Sequence, residues 1–129
     1  PAPSTEADVP SGPSARDETY VAHAIPVEAG YAAGSLSTFA VSIESQGEWH
    51  LNELFPFSLA VEGEGLNFPK DTLAQTDAAE WSEESARFDI PFTPAAGEHE
   101  VRATVRFAMC NPTSCVPKTA ELALNLAAR

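Results

Sequence analysis

Short segments in which apolar and polar side chains alternate make up most of the chain after residue 20. Apolar residues occupy every second position in 39–43, in 57–61 and in 88–92. Successive side chains of a β-strand point to opposite faces of the sheet, so this period of two predicts strands that are buried on one face. No amphipathic stretch of helical period is longer than about two turns. The pattern therefore predicts an all-β fold.

Clusters of Gly, Pro and polar residues separate these segments, as expected for turns. The predicted strands cover residues 20–25, 38–44, 49–51, 57–61, 66–68, 88–92, 101–109 and 120–126. About seven to eight short antiparallel strands at this spacing match an immunoglobulin-like β-sandwich better than a closed barrel. We therefore expect one immunoglobulin-like domain over residues 20–129.

Residues 1–19 differ in composition from the rest of the chain. Pro1, Pro3, Pro10 and Pro13 stand among Ser, Thr, Ala and acidic residues, and Val9 is the sole large aliphatic residue. Such a segment cannot bury enough apolar area to offset the entropy of ordering, so it predicts a disordered Pro/Ser-rich tether. The chain also begins without an initiator Met or an apolar leader, which is typical of a processed product. We expect a periplasmic, cell-envelope or secreted location.

The charge of the chain excludes several kinds of partner. Its net charge is −12, which repels phosphate backbones and leaves no basic surface for nucleic acid. No apolar run reaches the roughly 18 residues that span a bilayer, so the domain itself is not expected to be transmembrane. His23, His50 and His99 show no ligand spacing relative to the cysteines, so neither a metal nor another cofactor is expected. A hydrolase is disfavoured because no G-x-S-x-G motif is present.

The two cysteines, Cys110 and Cys115, lie at the ends of the last two predicted strands. If the odd residues of 101–109 face the core, Cys110 faces outward. If the even residues of 120–126 face the core, Cys115 also faces outward. Residues 111–114 (Asn-Pro-Thr-Ser) are typical of a turn that closes a hairpin. A Cys110–Cys115 disulfide on the outer face is therefore sterically feasible.

A bond over so short a ring adds little stability. Loop closure gives about 2.2 kcal/mol for a ring of about six residues, against about 4.7 for a loop of about 100. This favours a functional pair over a structural clip, although secreted hairpins also carry short disulfides without a further role. The C-x4-C spacing differs from the C-x-x-C of thioredoxins, so the domain would be a substrate or relay for a thioredoxin rather than an independent one.

Basic residues near the pair have two interpretations. Arg102, Arg106 and Lys118 are three of seven basic residues in the chain, and their positive charge would favour the reactive thiolate form of the cysteines. Alternatively they balance the charges of Glu100 and Glu121. The pattern alone leaves both interpretations open.

The chain resembles the N-terminal periplasmic domain of the DsbD family of thiol–disulfide interchange proteins. Three stretches carry the resemblance: residues 47–52 (Gly-Glu-Trp-His-Leu-Asn), 55–56 (Phe-Pro) and above all 105–117, which contain both cysteines. The resemblance covers about residues 20–126. It departs from the better-known members in two respects, since they have five residues between the cysteines rather than four and belong to a longer membrane protein.

The resemblance implies an electron relay in which Cys110 and Cys115 are the exchanging pair. The partners implied are a thioredoxin-like protein domain or a membrane thiol carrier, and we expect the relay domain itself to be a monomer. The family shields its cysteines with a loop, for which residues 54–57 and 68–81 are both candidates here. The alternative function is a non-catalytic, envelope-tethered binding or structural module in which the disulfide is a local clip.

Overall fold

The computed structural model describes residues 13–26, 30–52 and 54–129. Within these residues the chain forms eleven strands and a single 3₁₀ turn. The strands are β1 (Ser14–Arg16), β2 (Tyr20–Pro26), β3 (Ser37–Ser45), β4 (His50–Leu51), β5 (Ser58–Glu62), β6 (Leu66–Asn67), β7 (Thr72–Leu73), β8 (Glu80–Trp81), β9 (Ser85–Pro94), β10 (Gly97–Cys110) and β11 (Cys115–Ala128), and the 3₁₀ turn is Gln75–Asp77. Among the residues described, no helical segment has the length and apolarity needed to cross a membrane.

Two antiparallel sheets form a sandwich. The first has the order β1-β2-β3-β9-β6, with β8 also on β9, and the second has the order β11-β10-β5-β7, with β4 also on β10. The paths β2-β3-β9-β6 and β11-β10-β5 reproduce the A-B-E-D and G-F-C sheets of an immunoglobulin constant-type domain. The structure confirms the predicted all-β sandwich, but with more strands than the sequence pattern predicts.

The additional strands are short. β1, β7 and β8 contain two or three residues each, too few for an alternating pattern to be recognised. β1 also changes the start of the folded region, because the sequence predicts a tether as far as residue 19 whereas Ser14–Arg16 pairs with β2. The structure describes residues 13–19 of the predicted tether, and residues 1–12 lie outside the described residues.

The core lies between the two sheets and contains the residues whose parity predicts burial. The largest fully buried side chains include Phe39, Phe88, Phe92, Phe107, Ile43, Leu59, Ile90 and Met109. Phe57 stacks on Phe88 with ring centroids 4.8 Å apart, and Tyr20 packs edge-on against Phe107 at 4.9 Å. Every odd residue of 101–109 and every even residue of 120–126 is buried, as predicted.

The long hairpin of β10 and β11 positions the cysteines. Its register is unbroken from Gly97 opposite Ala128 to Cys110 opposite Cys115, so the cysteines form its last pair. On its other side the end of β10 pairs with β4, which places His50 opposite Cys110. Cys110 therefore lies between two strands, whereas Cys115 lies on β11, the edge strand of the described part of this sheet.

Candidate functional site

A disulfide joins Cys110 and Cys115 at the tip of this hairpin. The two residues are directly opposed in the ladder, and their Cα atoms are 4.0 Å apart, closer than the about 4.5 Å typical of a non-hydrogen-bonded pair. Cys115 is exposed and Cys110 is half-buried. The structure thus confirms the bond that parity and turn composition make feasible, and Cys115 is the more exposed of the two residues.

The turn between the cysteines is held by its own hydrogen bonds. The Asn111 carboxamide oxygen accepts from the backbone N–H groups of Thr113 and Ser114, at 2.9 and 2.7 Å, and from the Thr113 hydroxyl at 3.2 Å. The Asn111 N–H donates to the Ser114 carbonyl oxygen at 2.8 Å. An Asn side chain that caps its own turn in this way fixes the loop locally. The two strand ends are therefore held together by more than the disulfide.

The side-chain amide of Asn52 contacts the disulfide from the strand on the opposite side of β10. Its Nδ2 donates to Cys110 Sγ at 3.1 Å and lies 3.8 Å from Cys115 Sγ. Its Oδ1 accepts from the Leu54 N–H at 2.7 Å. Because only the oxygen of the amide can accept that hydrogen bond, the NH₂ end must face the sulfurs.

Asn52 is the residue of the site to which sequence reasoning gives no role. It lies within one of the stretches that resemble the DsbD family, but nothing in its local pattern connects it to cysteines 58 and 63 positions later. The connection comes from the sheet, since β4 pairs with β10 and the Asn52 N–H continues that pairing by donating to the Ala108 carbonyl oxygen at 3.0 Å.

The basic residues do not surround the sulfurs. Lys118 lies opposite Phe107 on the core-facing side of the hairpin, where it forms a 2.7 Å ion pair with Asp17. Burial raises the pKa of Asp17, but hydrogen bonds from Lys118 and Thr19 outweigh it and hold that pKa below its ordinary value. The expectation that Lys118 flanks the cysteine face is therefore wrong.

The two arginines are on the outer face but far from the bond. Four residues of strand separate Arg106 from Cys110, about 13 Å, and eight separate Arg102, about 26 Å. The spacing of Arg102 exceeds the screening length of about 8 Å at physiological salt several-fold. Arg102 is also paired with Glu100 at 3.1 Å, in agreement with the charge-balance interpretation. Arg102 and Lys118 are thus each paired with a carboxylate rather than with the sulfurs.

Of the two candidate shielding loops, residues 54–57 lie next to the disulfide, because Leu54 binds the Asn52 side chain. The Leu54 side chain is 90% exposed, and Phe57 at the other end of the loop turns into the core. The segment 68–81 instead packs on the sandwich, with Phe68 against Phe92 and Trp81 edge-on to Phe57 at 5.5 Å. Neither candidate loop covers Cys115, which stays exposed.

The three histidines lie in separate settings. The His23 ring forms a hydrogen bond through Nδ1 with the Ser14 hydroxyl at 2.9 Å. His50 is exposed and lies opposite Cys110. Both ring nitrogens of His99 face backbone carbonyl oxygens, that of Glu64 at 3.0 Å and that of Ala95 at 2.7 Å. Over residues 13–26, 30–52 and 54–129, no three His, Cys, Asp or Glu side chains are grouped as metal ligands.

Together the fold and the site define a class: an immunoglobulin-like β-sandwich with one cross-strand disulfide at the tip of its long hairpin. No family model matches the chain, and no curated protein matches it. Among solved structures, BslA, a bacterial hydrophobin, is similar at 14% identity and a TM-score of 0.42, over 89% of this chain and 98% of that chain.

Proposed function

We propose that the domain is a thiol–disulfide exchange relay in an extracytoplasmic compartment, with Cys110 and Cys115 as its exchanging pair. The observation that carries the proposal is the accessibility of the bond at the hairpin tip, with Cys115 exposed on an edge strand. Disulfide exchange requires a thiolate to reach a sulfur atom, so access is one of the factors that decide which sulfur reacts and how fast. Persistent disulfides form in oxidising compartments, which supports a periplasmic or envelope location.

The exchange has two balanced steps. A partner thiolate attacks Cys115 Sγ, the bond between the two sulfurs breaks, and the Cys110 sulfur leaves as a thiolate that takes up a proton from solvent. A second thiol of the partner, as its thiolate, then attacks the partner's own sulfur in the mixed disulfide and releases Cys115. The partner dithiol becomes a disulfide and the domain carries two electrons, which it passes to an oxidised protein by the reverse steps.

The partner must supply its own dithiol. Cys110 and Cys115 are the two cysteines of the chain, and both are consumed in the disulfide. A thioredoxin-like domain or a membrane thiol carrier provides the required pair, as the resemblance to the DsbD family implies. The sandwich then acts as a rigid support that presents the bond to that partner.

A second candidate is a non-catalytic structural or binding module in which the disulfide only clips the hairpin. Two observations favour it. The hairpin ladder is continuous up to the cysteines, and Arg102 and Lys118 of β10 and β11 are paired with carboxylates rather than with the sulfurs. A clip of this kind needs no partner and predicts a bond that is difficult to reduce.

Reduction by thioredoxin, used as a dithiol probe, separates the two candidates. The oxidised domain is incubated with an equal concentration of reduced thioredoxin, whose potential is about −270 mV, and free cysteines are alkylated and counted by mass. A relay above about −230 mV becomes largely reduced, whereas a clip below about −300 mV stays largely oxidised. The Cys110→Ser/Cys115→Ser variant is the blank for alkylation, and a domain that stays oxidised contradicts the relay.

A further inference from the structure

We propose that Asn52 is a catalytic residue of this exchange, whose side-chain amide stabilises the Cys110 thiolate that forms when a partner attacks Cys115. The proposal rests on the proposed function. It adds one residue to the same site and specifies which sulfur is attacked and which sulfur leaves. It is carried by the hydrogen bonds of the Asn52 side chain and by the unequal exposure of the two sulfurs.

The amide is held in the orientation that the reaction requires. Its Oδ1 is fixed by the Leu54 N–H at 2.7 Å, and the backbone of Asn52 is fixed by its bond to Ala108. These two anchors point the NH₂ group at the disulfide before any partner arrives. A donor that is already in place does not have to be ordered during the reaction.

The interaction grows as the disulfide bond breaks. A disulfide sulfur is a weak acceptor, whereas a thiolate carries a full negative charge, and hydrogen bonds to charged acceptors are roughly twice as strong as neutral ones. An interaction that is stronger in the transition state than in the starting complex raises the rate. Arg102 and Lys118 of the hairpin are each paired with a carboxylate, whereas the uncharged Asn52 amide contacts Cys110 Sγ directly.

The geometry also sets which sulfur leaves. Nδ2 is 3.1 Å from Cys110 Sγ and 3.8 Å from Cys115 Sγ, so a Cys110 thiolate is stabilised more than a Cys115 thiolate. Exposure acts in the same direction, because Cys115 is exposed whereas Cys110 is half-buried. Both features favour attack at Cys115 with Cys110 as the leaving group.

The test compares variants by their rate of attack by a monothiol. The oxidised full chain is mixed with excess glutathione, and loss of the disulfide is followed by quenching with N-ethylmaleimide and mass spectrometry. Asn52→Asp is the decisive variant, because the carboxylate has the shape of the amide and keeps the acceptor for Leu54 but cannot donate to sulfur. Asn125→Ala, on the outer face of β11 far from the disulfide, is the matched control.

We expect Asn52→Ala to lower the second-order rate constant about 10-fold, the loss of one hydrogen bond to a charged group. The rate constant of Asn52→Asp falls at least as far at neutral pH, and that of Asn125→Ala stays within about 2-fold of the wild-type value. In the trapped intermediate, glutathione is located on Cys115 and N-ethylmaleimide on Cys110, and Asn52→Ala lowers that preference.

Equal rates for Asn52→Asp and the wild type would overturn the role of Asn52, and so would glutathione located mainly on Cys110. Unfolding in urea, measured for each variant, separates a loss of rate from a loss of fold. The ratio of the variant's rate constant to that of the wild type tests the role of Asn52, whether the disulfide as a whole reacts fast or slowly. A wild-type domain that reduced thioredoxin cannot reduce would refute the relay itself, whatever the ratio.

Discussion

Removal of the disulfide is expected to leave the domain folded, as a relay that cycles between two redox states requires. The ring closed by Cys110 and Cys115 spans six residues, counting both cysteines. Loop closure over that length contributes at most about 2.2 kcal/mol. The hydrogen bonds of Asn111 already restrain the turn, so the measured loss falls below that limit. A domain of this size has a free energy of unfolding of roughly 5–15 kcal/mol, which leaves the reduced form stable.

Urea unfolding of the wild type, with and without a reductant, measures this loss, and the Cys110→Ser/Cys115→Ser variant checks that the reductant acts through this bond. We expect the free energy of unfolding to fall by about 1–2 kcal/mol with an unchanged m-value. A loss of more than about 4 kcal/mol, or a reduced protein that is unfolded without urea, would refute this reasoning and favour the structural clip.

Three further predictions concern the sandwich that supports the site. Asp17→Asn should lower stability more at pH 6 than at pH 2.5. A carboxyl whose pKa is lowered by folding stabilises the fold above its unfolded-state pKa, and this contribution is lost as the pH falls through the folded-state pKa. Urea midpoints of the variant and the wild type at the two pH values measure the difference. Gly65→Ala should lower the melting temperature more than Gly47→Ala. Both glycines have positive φ, 77° and 63°, but a Cβ at Gly65 would also lie 2.7 Å from His99 Nδ1, whereas a Cβ at Gly47 would meet open space. Phe88→Ala should cost about 3–5 kcal/mol in urea, since its ring is fully buried against Phe57; a loss under about 1 kcal/mol would contradict the packing described.

The long hairpin was the most predictable part of the fold. Alternation over 101–109 and 120–126 determines which side chains face the core, and a one-residue slip would reverse every one of them. That constraint carries the register to the end of the ladder and brings Cys110 opposite Cys115. Strands such as β1 and β8 contain too few residues to be constrained by alternation, and their pairing depends on the neighbouring strands that are already in place.

The surroundings of the disulfide were predictable only in part. The even parity of Ala120, Leu122 and Leu124 also applies to Lys118, so the pattern itself places this lysine on the inner face. Its ion pair with Asp17 is visible only in the structure. The contact of Asn52 with Cys110 depends on the pairing of β4 with β10, which joins residues 58 positions apart and leaves no local signal. Pairing between strands that are far apart in the chain cannot be predicted from the local pattern of a single sequence.

The reduction potential of the Cys110–Cys115 bond tests the central claim most directly. The full chain is equilibrated in glutathione buffers of defined ratio, and the fraction of free thiols is determined by alkylation at each ratio. An exchange relay predicts a potential above about −230 mV, within the range of proteins that pass electrons between thiols. A potential below about −300 mV would contradict the account and identify the bond as a structural clip.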